Sequence, residues 1–147
     1  MRVISSAVAL VVLFSTSALA GPKEEALLLL EKWAKAFTDS DVDAIVKFHA
    51  PDGLFMGTAS KNVVTQAAGV RAYFENALLN NRPRSAKLTD YKVLELSDSV
   101  VAVSGLDLLG GVRGGKQFAN AGRVTFVIAK RGADWQIVQF HRSLVPN

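Results

Sequence analysis

Cysteine is absent from the 147 residues. That excludes disulfides, thiolate nucleophiles, thiolate-held metals and a lipid-modified cysteine. Histidine is scarce. The two present, His49 and His141, lie far apart, and no acids cluster near them at ligand spacing, so neither a metal nor a cofactor is expected. Basic runs interleaved with aromatics are also missing. The 17 lysines and arginines mix with 13 acids for a net charge of +4, which gives nucleic-acid binding no support. There is no internal repeat, low-complexity stretch or interdomain linker.

What is present begins at the N-terminus. Arg2 supplies a positive charge, Val8 to Phe14 an apolar core, and Ala18-Leu19-Ala20 the small residues of a cleavage site. The apolar core is too short to cross about 30 Å of hydrocarbon. Residues 1–20 therefore read as a cleavable leader, with export to a periplasmic or extracellular space and no stable membrane insertion after cleavage near Ala20. Residues 21–147 form one domain, long enough for a single core.

Along that domain, Lys23 to Thr38 reads as a helix, with Leu27, Leu30, Ala34 and Phe37 at helical spacing. Asp39-Ser40-Asp41 ends it and caps a short second helix, Val42 to His49. Pro51-Asp52-Gly53 stops the second helix, and Leu54-Phe55-Met56 reads as a brief strand. A third helix centres on Val70 to Leu79. After Pro83 the period changes, and Ala86–Leu96, Val100–Leu109, Lys116–Ala129 and Trp135–Leu144 read as four strands. Gly110 to Gly115 reads as one of the turns between them. Helices followed by an antiparallel meander predict an α+β domain, its helices packed on one face of a curved sheet. Both strand faces carry apolar residues. Val124, Phe126 and Ile128 are expected on the outer face, where a second copy would cover them.

Several segments carry a family resemblance. Val70-Arg71-Ala72-Tyr73-Phe74-Glu75-Asn76-Ala77-Leu78-Leu79 resembles the third helix of the association (hub) domain of calcium/calmodulin-dependent protein kinase II. Gly122-Arg123-Val124, Asp134 to Ser143 and Pro146 look like the same family. Together they imply the cone-shaped nuclear transport factor 2-like (cystatin-like) fold, close to exported bacterial SnoaL-like members. The resemblance implies self-association into a homodimer or larger ring and an arginine-lined pocket. Arg71 and Arg123 match two of its arginine positions. Leu106 stands where the family has another arginine.

Each candidate also has a plainer role. Arg71 precedes Glu75 by four residues, so an exposed helix pair competes with a pocket-facing guanidinium. Arg123 lies mid-strand, where burial is costly without a partner, and Asp107 on the preceding strand is the candidate partner. His49 continues the Val42, Ile45, Val46 stripe, as a core histidine or a pocket acid–base. Alternation leaves either His141 or Arg142 facing the pocket. Acid–base catalysis would draw on His49, Asp52, Tyr73, Asp107 or His141, none within a catalytic signature. Ser143 is too close to His141 along a strand to complete a triad, and the glycine segment lacks the lysine of a phosphate loop.

These readings converge on an exported, self-associating hub-like domain. Its small pocket is expected to take an anionic or polar molecule through Arg71, Arg123, His141 and Arg142. Two alternatives stand beside it: a cofactor-independent isomerase, dehydratase or cyclase using the same pocket, and an assembly domain with no ligand.

Overall fold

A computed structural model describes residues 20–146. Apart from Ala20, the expected leader lies outside the described residues. The elements run α1 (Pro22–Asp39), α2 (Val42–Phe48), β1 (His49–Met56), α3 (Ala67–Leu78), a 3-10 turn (Leu79–Asn81), β2 (Ser85–Ser97), β3 (Val100–Arg113), β4 (Lys116–Arg131) and β5 (Asp134–Leu144).

Local chemistry sets the helix ends. Pro22 opens α1, and Glu24 and Glu25 face the positive end of its dipole. Ser40 takes the left-handed conformation, and its amide donates back to the carbonyls of Ala36 and Phe37. The Asp41 carboxylate accepts from the Ala44 amide at 2.9 Å and starts α2.

The sheet order is β1-β5-β4-β3-β2. The last four strands are the expected antiparallel meander, but β1 joins β5 in parallel, so the sheet is mixed. Pro51-Asp52-Gly53 does not precede a strand; it lies within one of eight residues. An edge strand tolerates proline, and the irregularity is taken up as a register shift between His49 and Leu54. The glycine segment also differs from expectation. Gly110 to Arg113 continues β3, and the chain reverses over Gly114-Gly115 alone, both at positive φ, as a two-residue hairpin requires. Arg113 is thereby a strand residue paired with Lys116.

The inner sheet face packs on α1 and α3. Val101, Val103, Val124, Phe126, Ile128, Ile137 and Phe140 are buried there with Leu30, Trp33, Phe37, Phe74 and Leu78. The expected orientation of Val124, Phe126 and Ile128 is thus inverted. Apolar residues occupy both sides of β4, so alternation defines two faces without saying which one the helices cover. Trp33 sits at the centre, with the rings of Phe37, Phe74, Phe126 and Phe140 at 5.5–6.2 Å. Burying one such ring contributes roughly 1.5–3 kcal/mol.

Candidate functional site

At one end of the cone the helices and sheet diverge around a cavity of about 590 Å³. Trp33, Phe37, Phe74, Phe118 and Phe140 give it aromatic walls, and Arg84, Arg113 and Arg142 are its charged residues. No carboxylate and no imidazole lies among the lining residues.

Arg142 projects inward from β5. Its Nε donates to both oxygens of Asp107 (3.0 and 2.7 Å), and its Nη2 donates to Asp107 Oδ1 (2.7 Å) and to the Asn120 carbonyl (3.1 Å). Its Nη1 reaches Thr58 Oγ1 at 2.8 Å, tying the segment after β1 to the sheet. Both charged side chains are buried, at 6% and 7% exposure. The pair spans the intervening strand β4 above Gly122, which is in register with Asp107. A Cβ on Gly122 would lie 2.5 Å from both the guanidinium carbon and an Asp107 oxygen. The pair therefore fits because that position is glycine, and it makes Arg142 an electrically neutralised wall.

Arg84 differs. It follows the cis Arg82–Pro83 bond and enters the cavity from the chain leading into β2. It is 8% exposed and has no carboxylate partner among the described residues. Its guanidinium lies over Phe37 and Phe118, at 5.0 and 5.1 Å from the ring centroids. Its Nε meets no protein acceptor, and neither does the indole N–H of Trp33. Burial, then the nearby charges of Arg113 and Arg142, push Arg84 below the usual arginine range. A guanidinium remains a cation at neutral pH regardless. Gly111 makes the room: a Cβ there would run into Arg84 Nη1 and lie 2.8 Å from the Phe118 ring.

Arg113 also lines the cavity and is exposed. Its guanidinium is 5.1 Å from the Phe118 centroid, and its Nε donates to Asn81 Oδ1 at 2.9 Å. Tyr73, on α3, also borders the cavity. Burial pushes its hydroxyl above the ordinary value, so it stays a protonated donor. Gly57 leaves space for its ring.

The sequence-derived candidates divide sharply. Tyr73 and Arg142 line the cavity. Arg71 does not; it pairs on the helix surface with Asp43 at 2.7 Å and Glu75 at 3.8 Å. Arg123 projects from the outer sheet face, exposed, donating to Ser143 Oγ at 3.3 Å. The expected Asp107–Arg123 pair does not form, because Asp107 is opposite Gly122 and Arg123, one residue on, points to the opposite side. His141 is also exposed on the outer face, which settles the His141–Arg142 choice for Arg142. Asp52 is exposed and pairs with Arg131 at 3.2 Å. His49 is buried beneath the cavity floor, its ring 5.6–6.1 Å from those of Phe55, Phe74 and Phe140. Its Nε2 has no protein partner, and burial lowers its pKa to about 4. Arg113 escaped the sequence reading because it fell in a segment taken as a turn, and Arg84 because it lies between Pro83 and the expected start of the first meander strand at Ala86. Among the described residues no cluster of His, Asp and Glu is arranged to hold a metal, and no helix is long and apolar enough to cross a membrane.

A family model described as the SnoaL-like domain matches residues 27–147. The chain belongs to the SnoaL-like domain family. No curated protein matches it by sequence. Among solved structures, this SnoaL-like domain is similar to a Xanthomonas campestris protein assigned as a calcium/calmodulin-dependent protein kinase II association domain. The two share 26% identity at a TM-score of 0.78, over 92% of this chain and 99% of that one. A kinase II hub homology domain from Chlamydomonas reinhardtii shares 20% identity at a TM-score of 0.67, over 83% and 97%. A ketosteroid isomerase-like protein from Erwinia carotovora shares 14% at 0.72, over 85% and 97%. The last two establish the fold alone. Two other neighbours are described as having a cystatin-like fold, one of them as nuclear transport factor 2-like, in agreement with the expected α+β cone.

Proposed function

We propose that this SnoaL-like domain binds an anionic small molecule in its cone. The observation that carries the reading is Arg84: a buried, unpaired guanidinium facing a cavity that contains two further arginines and no acid. Burying an uncompensated cation is costly, and an anion relieves that cost through charge-assisted hydrogen bonds. The aromatic walls and the cavity volume suit a compact organic ligand. Acid–base chemistry lacks this support, since Asp107 is committed to Arg142 and His49 lies below the floor.

Small carboxylates should raise the melting temperature at fixed ionic strength, because a ligand selective for the folded state stabilises it by mass action. Arg84→Met should abolish the response, and Arg123→Ala on the outer face should retain it. Equal responses from the two variants would sink the reading.

Self-association and export complete the proposal. Leu94, Leu106 and Leu108 are exposed on the outer face of β2 and β3, beside the half-buried Val127 of β4. This apolar face and the association-domain neighbours support a homodimer or larger ring. Light scattering at micromolar concentration should show an oligomer that Val127→Asp dissociates. A monomer in both would count against it. Export rests on the leader, and the intact mass of secreted protein should correspond to a chain starting at Gly21.

A further inference from the structure

The charge balance of the cavity goes further than its sign. We infer that the ligand is a dianion, with both negative charges at one end of an apolar, ring-sized body. This inference rests on the anion-binding reading above and specifies its substrate class.

Asp107 already cancels Arg142, and most of the donors of that guanidinium are committed to Asp107, Thr58 and the Asn120 carbonyl. Two uncompensated cations remain at the cavity, Arg84 and Arg113. They lie against one ring, each 5.1 Å from the Phe118 centroid, so at most about 10 Å separates their guanidinium carbons. No salt bridge engages either one among the described residues; Arg113 has only the neutral Asn81 side chain. A monoanion seated on the buried Arg84 would leave the exposed Arg113 at the mouth without a charged partner, whereas a second charge on the ligand would gain one more charge-assisted contact there. A dianion engages both.

The rest of the cavity defines the body that carries these charges. Trp33, Phe74 and Phe140 line the same cavity, continuous with the aromatic core, and offer contact for an apolar ring. Both cations therefore share one ring, Phe118, while the other aromatic residues supply apolar lining. A phosphomonoester and a vicinal dicarboxylate share this chemistry, and they are separable by experiment.

The test is isothermal titration of the purified protein at fixed ionic strength, at a pH where every probe is fully ionised. The probes are benzoate, phthalate, terephthalate and phenyl phosphate. Phthalate or phenyl phosphate should bind at least about tenfold more tightly than benzoate, as one added charge-assisted contact provides. Terephthalate, with its second charge at the far end of the ring, should stay near benzoate. Arg113 is exposed, so Arg113→Gln preserves the fold; it should leave benzoate binding in place and reduce the dianion advantage to about threefold or less. Whichever of phenyl phosphate and phthalate binds more tightly identifies the head group, and either order agrees with the inference. Equal affinities for benzoate, phthalate and phenyl phosphate would overturn the inference and leave the anion site standing. So would terephthalate matching phthalate, or an advantage that survives Arg113→Gln. Failure of every probe to bind would overturn both.

Discussion

Arg123 and Arg142 sit on adjacent strands one register position apart, since Val124, next to Arg123, pairs with Arg142. They nonetheless occupy different solvents. Arg123 faces water on the outer sheet surface with a single long hydrogen bond to Ser143, whereas Arg142 is buried on the inner face with a bidentate carboxylate and two further acceptors. The same side chain is therefore an ordinary surface cation in one place and part of a cavity wall in the other. Strand pleating alone makes the difference, and the two faces can be separated by mutation.

The largest contrast should come from removing the carboxylate beneath Arg142. Asp107→Ala leaves a buried guanidinium unpaired and should cost about 3–5 kcal/mol of unfolding free energy. At concentrations where the chain is monomeric, Arg123→Ala should change stability by no more than about 0.5 kcal/mol. Urea denaturation of the two variants reads the difference directly. Asp107→Leu combined with Arg142→Leu should recover a large part of the loss, because a well-packed apolar replacement removes the stranded charge. Equal losses from Asp107→Ala and Arg123→Ala would mean that the faces are not electrostatically distinct.

That comparison also explains how far the sequence could be read. Helix periodicity located α1 and α3, and turn residues located the meander, because those signals are local. The arginines of the site were legible only in part. Arg142 was a candidate, but its face depended on which side the helices cover, a tertiary fact that the alternating apolar residues of β4 and β5 do not encode. Arg84 and Arg113 were missed for a different reason. Arg84 follows Pro83 between recognisable elements, and Arg113 lies among four glycines that read as one loop. Only two of those glycines turn the chain. Gly111 remains in the strand and leaves the space that Arg84 fills. At Gly110 to Gly115 composition signals a turn, and it cannot distinguish a glycine that bends the backbone from one that makes room for a side chain.

A second prediction concerns the floor beneath the cations. His49 is buried against three phenylalanine rings, and burial lowers its pKa from 6.5 to about 4. The folded state therefore binds fewer protons than the unfolded state between these values. Its contribution to stability is fully present above the unfolded pKa and is lost as pH falls from about 6.5 towards 4. The loss over that interval should be on the order of 3 kcal/mol. His49→Leu should flatten the corresponding part of a urea-denaturation pH profile. A profile unchanged by that substitution would place the titration elsewhere.

The smallest expected effect tests whether glycine, rather than charge alone, builds the inner face. Gly122 lies in β4 with its missing side chain directed at the Asp107–Arg142 pair. Ala121, its neighbour, is exposed on the outer side. Adding one methyl at Gly122 puts carbon within 2.5 Å of three heavy atoms of a buried bidentate pair, so the pair or the strand must shift. Overpacking of this kind typically costs about 1–3 kcal/mol. The intrinsic strand preference for alanine over glycine acts in the opposite direction but is smaller. Gly122→Ala should therefore destabilise by about 1–3 kcal/mol, and Ala121→Val should stay within about 0.5 kcal/mol. Displacing Arg142 also strains its bond to Thr58, so amide exchange of the segment following β1 should quicken in Gly122→Ala alone. A Gly122→Ala variant as stable as the parent, with unchanged exchange, would mean that the pair tolerates displacement and that the glycine is not what allows it to form.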